Sequence, residues 1–224
     1  MANESDLLFL RSALALAAKG RYMAPPNPSV GCVIVRDGAI VGRGWTHRPG
    51  EGHAEVNALA DAGADARGAT AYVSLEPCAF HGRTPPCTEA LIESGVTRVV
   101  AAMTDPHPQV AGKGFADLRQ AGIAVDLMDL PEASEAVCGF VSRVTRGRPF
   151  VRLKVAASID GRTAMASGES RWVTGAAART DVQAWRARSC AIVTGAETVL
   201  VDDPALTVRD EAYADDGVIR QPIR

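Results

Sequence analysis

Apolar positions recur at helical spacing over residues 5–19, where Leu7, Leu10, Leu14 and Ala17 fall on one face. Ser5 or Asp6 is placed to cap the start of this helix, and Gly20 to end it. The period then changes. Residues 30–35 form a short apolar run, Asp37-Gly38 is a hairpin turn signal, and residues 39–45 return, so two antiparallel strands are expected. Further on, helix and strand patterns alternate. A short helix is expected over 53–62, a strand over 69–74, a helix over 87–94 behind Pro85-Pro86, and a strand over 96–102. A helix over 115–121, a strand over 123–127 and a helix over 132–144 complete this part, the last with Val137, Phe140, Val141 and Val144 on one face. A hairpin followed by alternating strands and helices predicts an α/β fold, a mixed sheet covered by helices on both sides. Ligands of such sheets sit beyond the carboxyl ends of strands, which is where Cys78 falls.

Arg146-Gly147-Arg148-Pro149 reads as a linker, dividing the chain into residues 1–145 and 146–224. Behind it the pattern predicts a strand over 150–157, a helix over 176–187, a strand over 191–194 and a short helix over 196–200. These are too few elements to close a core, so the segment is expected to be the opening of a larger α/β domain. No internal repeat or low-complexity tract is present.

Composition narrows the function. The chain has 224 residues, 47% of them hydrophobic, enough for a real core. A net charge of −2 and 5% aromatic residues argue against a nucleic-acid coat, which needs a basic track and stacking rings. No apolar run approaches the roughly 20 residues of a membrane helix. The first residues carry Glu4 and Asp6 and no basic leader, so a cytoplasmic protein without a membrane partner is expected. Five cysteines at irregular spacing suit free thiols in a reducing compartment. Cys32, Cys138 and Cys190 lie in apolar stretches and are expected to be small buried core residues.

The remaining thiols belong to a chemical constellation that begins His53-Ala54-Glu55 and closes with Pro77-Cys78 and Pro86-Cys87. One imidazole and two thiols supply three ligands to a tetrahedral zinc ion and leave a fourth position open. Two thiolates and a neutral imidazole cancel the metal's charge, so water at the site is acidified less than by an all-histidine set. A nearby base then gains value, and Glu55 is the candidate proton carrier. His53 and Glu55 are two residues apart, and on a helix they share a site only in its first turn. His81 offers a fourth ligand for a closed structural zinc, an alternative that leaves Glu55 without a role.

His-x-Glu, Pro-Cys and Cys is the pattern of zinc deaminases acting on nucleobases, with eight residues between the cysteines where the shorter form has two. The filling Ala79-Phe80-His81-Gly82-Arg83-Thr84-Pro85-Pro86 resembles one branch, the bifunctional riboflavin-biosynthesis deaminase–reductases. Pro26-Asn27-Pro28-Ser29-Val30-Gly31 and Val110-Ala111-Gly112-Lys113-Gly114 are similar to that family too. The resemblance implies a cytidine-deaminase-like three-layer fold for residues 1–145, with His53, Cys78 and Cys87 as zinc ligands and Glu55 as proton shuttle. It implies that Asn27 lies in the substrate pocket, although a turn residue between prolines is an equal reading. Asp105-Pro106 is followed in the family by Asn-Pro and here by His107-Pro108, a loop histidine.

Residues 154–162, Ser170-Arg171-Trp172-Val173-Thr174 and residues 198–204 resemble the reductase half of the same family. That half has a dihydrofolate-reductase-like α/β fold and uses NADPH. By this resemblance Ala156, Trp172, Thr198 and Asp202 line the cofactor site, and Ser170, Arg186, Leu206 and Arg209 contact the substrate. Read without it, Trp172 is a core residue by default, and Lys154 faces either a cleft or water. The family's later glycine-rich cofactor stretch is not in this sequence, so residues 146–224 are expected to be the N-terminal part of that domain. The implied substrate is a phosphorylated pyrimidine, 2,5-diamino-6-ribosylamino-4(3H)-pyrimidinone 5′-phosphate. A deaminase of nucleic-acid bases and a zinc-stabilised binding module are the rival readings, and a homo-oligomer is left open.

Overall fold

Helix α1 (Glu4–Gly20) starts one residue earlier than its apolar pattern, because Asn3 and not Ser5 or Asp6 is the cap. The Asn3 side chain accepts from the Asp6 N–H at 3.0 Å, and the Asp6 carboxylate accepts from the Asn3 N–H at 2.8 Å, a reciprocal capping box. The turn at Asp37-Gly38 joins strands β1 (Gly31–Arg36) and β2 (Ala39–Trp45) as an antiparallel hairpin with a register shift at Ile34/Val35. In this computed structural model, which describes residues 3–224, the chain divides into two compact units, Met1–Phe150 and Val151–Arg224.

The first unit holds one five-stranded sheet in the order β2-β1-β3-β4-β5, with β3 (Thr70–Val73), β4 (Arg98–Ala101) and β5 (Ala124–Leu127). β3 pairs antiparallel with β1 and parallel with β4, and β4 pairs parallel with β5, so the sheet is mixed. Its three inner strands, β1, β3 and β4, are largely buried apolar runs, as a sheet covered on both faces requires, while the edge strands β2 and β5 are partly exposed.

Glycines set where the helices lie. A Cβ on Gly31 would stand 2.0 Å from the Ala13 carbonyl of α1. A Cβ on Gly44 would stand 2.2 Å from the Ala54 carbonyl of α2 (Ala54–Ala62). Gly31 pairs with Trp45, next to Gly44, and neighbouring strand residues point to opposite faces, so α1 and α2 cover opposite sides of the sheet. This is the three-layer α/β/α arrangement that the pattern predicted. Helices α3 (Cys87–Ser94) and α4 (Lys113–Gln120) follow β3 and β4.

Two expectations change. The single helix expected over 132–144 is two, α5 (Pro131–Ala136) and α6 (Cys138–Arg146), broken at Val137 with φ −116° and ψ 28°. A continuous apolar face cannot show such a break, since buried Val137 serves the face in either arrangement. In the second unit, helices α7 (Ala176–Arg188) and α8 (Ala196–Asp202) form as expected. Residues 150–157 and 191–194 do not become strands; Ala191 makes one isolated bridge to Ile223. Extended backbone becomes a strand only beside another strand, and among the described residues no strand pairs with 151–157, where Val151 and Leu153 are 81% and 86% exposed. Among the described residues, no helix is long and apolar enough to cross a membrane.

Candidate metal and catalytic site

The cluster sits where two helices begin and one strand ends. β3 runs through Ser74, whose hydroxyl accepts from the Gly31 N–H at 3.0 Å, and then through Glu76-Pro77 to Cys78. Cys87 is the first residue of α3, behind Pro86, and its unpaired helix-end N–H donates to Cys78 Sγ at 3.3 Å. His53 is the N-cap of α2, with extended backbone and no capping bond from its side chain, and Glu55 lies in the first turn.

These placements bring the three expected ligand residues together. His53 Nδ1 lies 3.2 Å from Cys87 Sγ and 3.6 Å from Cys78 Sγ, and the three ligand atoms are all within 4.8 Å of one another. A tetrahedral zinc with ordinary Zn–S and Zn–N bonds needs donor separations of roughly 3.5–3.8 Å, so the cluster fits that ion with small adjustment. The other ring nitrogen, Nε2, stands 3.4 Å from Thr84 Oγ1, and Nδ1 is the nitrogen that faces the sulfurs.

The electrostatics suit a dication. The Cys87 thiol donates to Cys78, which holds the Cys78 thiol down to about 4, while the same bond pushes Cys87 well up. The bond to Cys78 also raises His53. Glu55 is 4% exposed, and burial, reinforced by the Cys78 charge, lifts its carboxyl to about 7. It is in hydrogen-bonding contact with the Cys87 side chain. A carboxyl poised near neutrality beside a metal-ligand set can both accept and return a proton.

His81 does not join the cluster. It is exposed, with Nε2 3.2 Å from Glu89 Oε1, so the closed four-ligand site has no support in this geometry. Arg83 is exposed on the same loop. Asn27 is exposed in a turn, its N–H donating to the Ala24 carbonyl at 2.9 Å. His107 is half-buried, stacked on Phe80 with ring centroids 6.2 Å apart.

Two buried carboxyls escaped the sequence reading. Asp105 accepts from the His107 N–H at 2.7 Å, and burial raises it to about 6. Glu76 accepts from the N–H groups of Asp105 and Gly112, both at 3.0 Å, and of Phe115 at 3.3 Å. A carboxylate next to Pro77-Cys78 in sequence was the only available signal.

In the second unit the expected residues are spread. Thr198 and Asp202 lie on α8, Ala156 in the segment 151–157 that forms no strand, and Ser170 and Trp172 on an irregular stretch. Trp172 is not core: it is 71% exposed, with the Arg179 guanidinium 4.5 Å from its ring centre. Lys154 is exposed. Arg186 on α7 donates to the Thr207 carbonyl at 3.0 Å, and burial and the nearby charge of Arg209 lower its pKa. Leu206 is half-buried with φ +53°. Cys32 is buried as expected, but Cys138 is only half-buried and Cys190 is exposed, because the apolar run around Cys190 has no sheet to enter.

Residues 3–103 match the cytidine and deoxycytidylate deaminase zinc-binding region, which places the first unit in the class of zinc-binding deaminase domains. Residues 149–224 match the RibD C-terminal domain. The chain is 57% identical over 228 aligned positions to the riboflavin biosynthesis protein RibD of Escherichia coli, covering 98% of this chain and 62% of that one. Among solved structures, RibD of Acinetobacter baumannii aligns with TM-score 0.91 at 52% identity, over 98% of this chain and 62% of that one. A Thermotoga maritima protein described as a diaminohydroxyphosphoribosylaminopyrimidine deaminase/5-amino-6-(5-phosphoribosylamino)uracil reductase aligns with TM-score 0.89 at 40% identity, over 97% and 61%. The chain is similar to these RibD proteins over nearly all of its own length and spans about 62% of theirs.

Proposed function

We propose that residues 1–145 are a zinc-dependent hydrolytic deaminase of 2,5-diamino-6-ribosylamino-4(3H)-pyrimidinone 5′-phosphate in riboflavin biosynthesis. The observation that carries this reading is the convergence of His53 Nδ1 and the two sulfurs with buried Glu55 in contact with Cys87. His53, Cys78 and Cys87 would hold the ion, and when bound it supplies the Lewis acidity that makes water a competent nucleophile near neutral pH. Glu55 accepts a proton from the attacking water as its oxygen bonds to the amine-bearing ring carbon. It then returns that proton to the amine nitrogen, the C–N bond breaks, and ammonia leaves. Burial favours the uncharged form of Glu55, the form that hands the proton on to the leaving amine.

Residues 146–224 are, on the same reading, part of an NADPH-dependent reductase of the deaminated product. Arg186, close enough to feel the charge of Arg209, and Arg209 itself suit its phosphate. The residues assigned to the cofactor lie on separate segments, and the Arg179 guanidinium lies over the Trp172 ring, so they do not by themselves form a cradle. The chain acts on a small phosphorylated pyrimidine in the cytoplasm. Its net charge of −2 supports that reading over a nucleic-acid base in its polymer.

The test is Glu55→Ala. Its expected outcome is an unchanged zinc content with ammonia release slowed by about 10²–10⁴-fold. Near-normal turnover in that variant would sink the mechanism.

A further inference from the structure

Glu76 is 3% exposed, and no basic side chain is paired with it among the described ion pairs. Its carboxylate is instead satisfied by backbone. Oε2 accepts from the N–H of Asp105 and of Gly112, the N-cap of α4, and Oε1 accepts from that of Phe115 in the helix's first turn. A side chain two residues before Cys78 therefore caps α4, a helix that begins far along the chain, and a carboxylate suits the positive end of a helix.

Three further contacts join the same two segments. The Glu76 N–H donates to the Met103 carbonyl at 3.0 Å. A Cβ on Gly114 would stand 2.1 Å from the Pro77 carbonyl, so the start of α4 rests on the backbone that leads into Cys78. Phe80, two residues beyond Cys78, stacks on His107. The Cys78 loop is thus held from both sides of the thiol by the segment 103–115, and Glu76 supplies the buried polar part of that hold.

We propose that Glu76 is a positioning residue for the metal centre: it locks the Cys78 loop to the segment 103–115, and the order of that segment and the binding of the metal are coupled through it. It touches neither metal nor substrate. The coupling is reciprocal by thermodynamic necessity, so metal binding must tighten the very amides that Glu76 holds. This rests on the reading of His53, Cys78 and Cys87 as a metal site, and the two can fail separately.

The experiment uses the full unmodified chain first. Amide hydrogen exchange is measured with zinc bound and after chelation. Exchange at Asp105, Gly112 and Phe115 is expected to accelerate at least tenfold on zinc removal, while Val33 and Val99 in the sheet change little. Zinc bound at one ion per chain with unchanged exchange at those three amides overturns the inference and leaves the metal site standing. Failure to bind zinc at all overturns the metal site itself, and the inference with it. Glu76→Gln then tests the residue: the isostere keeps the volume but turns an amide N–H toward the helix end. Its zinc dissociation constant is expected to rise roughly 10–100-fold, the scale on which a ligand's loss of support weakens metal binding, with a changed cobalt(II) d–d spectrum. A folded variant with wild-type affinity and spectrum means that Glu76 is a helix cap only, and contradicts the proposal. If Glu76→Gln does not fold, the exchange result on the unmodified chain decides.

Discussion

Asp6 is buried to 1% exposure and remains charged because donors surround it. Arg98 reaches both its oxygens at 2.8 and 2.9 Å, the Tyr72 hydroxyl donates at 2.7 Å, and the Asn3 N–H closes the cap. Arg98 also bonds Asp126 through Nε and Nη2, so a helix start and two strands share one guanidinium. The hydrogen bonds from Arg98 hold the Asp6 carboxyl well below its ordinary 3.8. The folded state therefore binds fewer protons there than the unfolded state. The stabilisation is complete above pH 3.8 and drains away as pH falls toward the lower folded value. Asp6→Asn should lower stability by about 2–3 kcal/mol at pH 7, less than a fully buried pair because Arg98 is a quarter exposed and keeps Asp126. Urea unfolding from pH 7 to pH 3 should show the gap between variant and wild type narrowing; an unchanging gap would contradict the charged network. At this scale the sequence was unevenly legible. His53, Cys78 and Cys87 stood out because few residue types bind zinc and because each sits in a short signature of its own, His53-Ala54-Glu55, Pro77-Cys78 and Pro86-Cys87, although the two cysteines lie 25 and 34 residues from His53. Glu76 and Asp105 did not, since the amides that satisfy Glu76 are 29, 36 and 39 residues away.

The elements that were read correctly are those whose causes are local. Asp37 and Gly38, at φ +51° and +78°, meet the backbone demand of a tight hairpin turn, and the turn fixes both flanking strands. Pro86 before Cys87 and Gly95 after Ser94 bound α3 where the sequence placed it. Elements whose causes are tertiary were read less well: the kink at Val137 answers to packing, and residues 150–157 lack a neighbouring strand. Helix α2 shows how an element carries the site. Gly44 lets its first turn approach β2 so closely that an added Cβ would also stand 2.3 Å from the Ala58 N–H nitrogen. Gly44→Ala must push α2 outward, and with it His53 and Glu55. The expected result is a loss of about 1–3 kcal/mol in thermal or urea unfolding together with weaker zinc binding. Unchanged zinc affinity at reduced stability would show that the helix can shift without moving His53.

The two units differ in what holds them. The first packs a continuous apolar core on both faces of its sheet, from Leu10 and Leu16 through Val33, Val73 and Val99 to Leu118. In the second, only Ala187, Val208 and Pro222 are buried among the described residues. A core of that size leaves most side chains in water, and local opening is correspondingly cheap. The metal cluster, Glu55 and the loops that surround them all belong to the first unit, so its chemistry is predicted to run whether or not the second unit binds a cofactor. The direct measurement is to incubate the zinc-loaded chain with the diaminopyrimidinone phosphate, with and without NADPH, and to follow ammonia and NADPH separately. The account predicts ammonia release that matches substrate consumption, stops on zinc chelation and is indifferent to NADPH. A folded chain with one zinc bound that releases no ammonia, or releases it only when NADPH is oxidised, would contradict it.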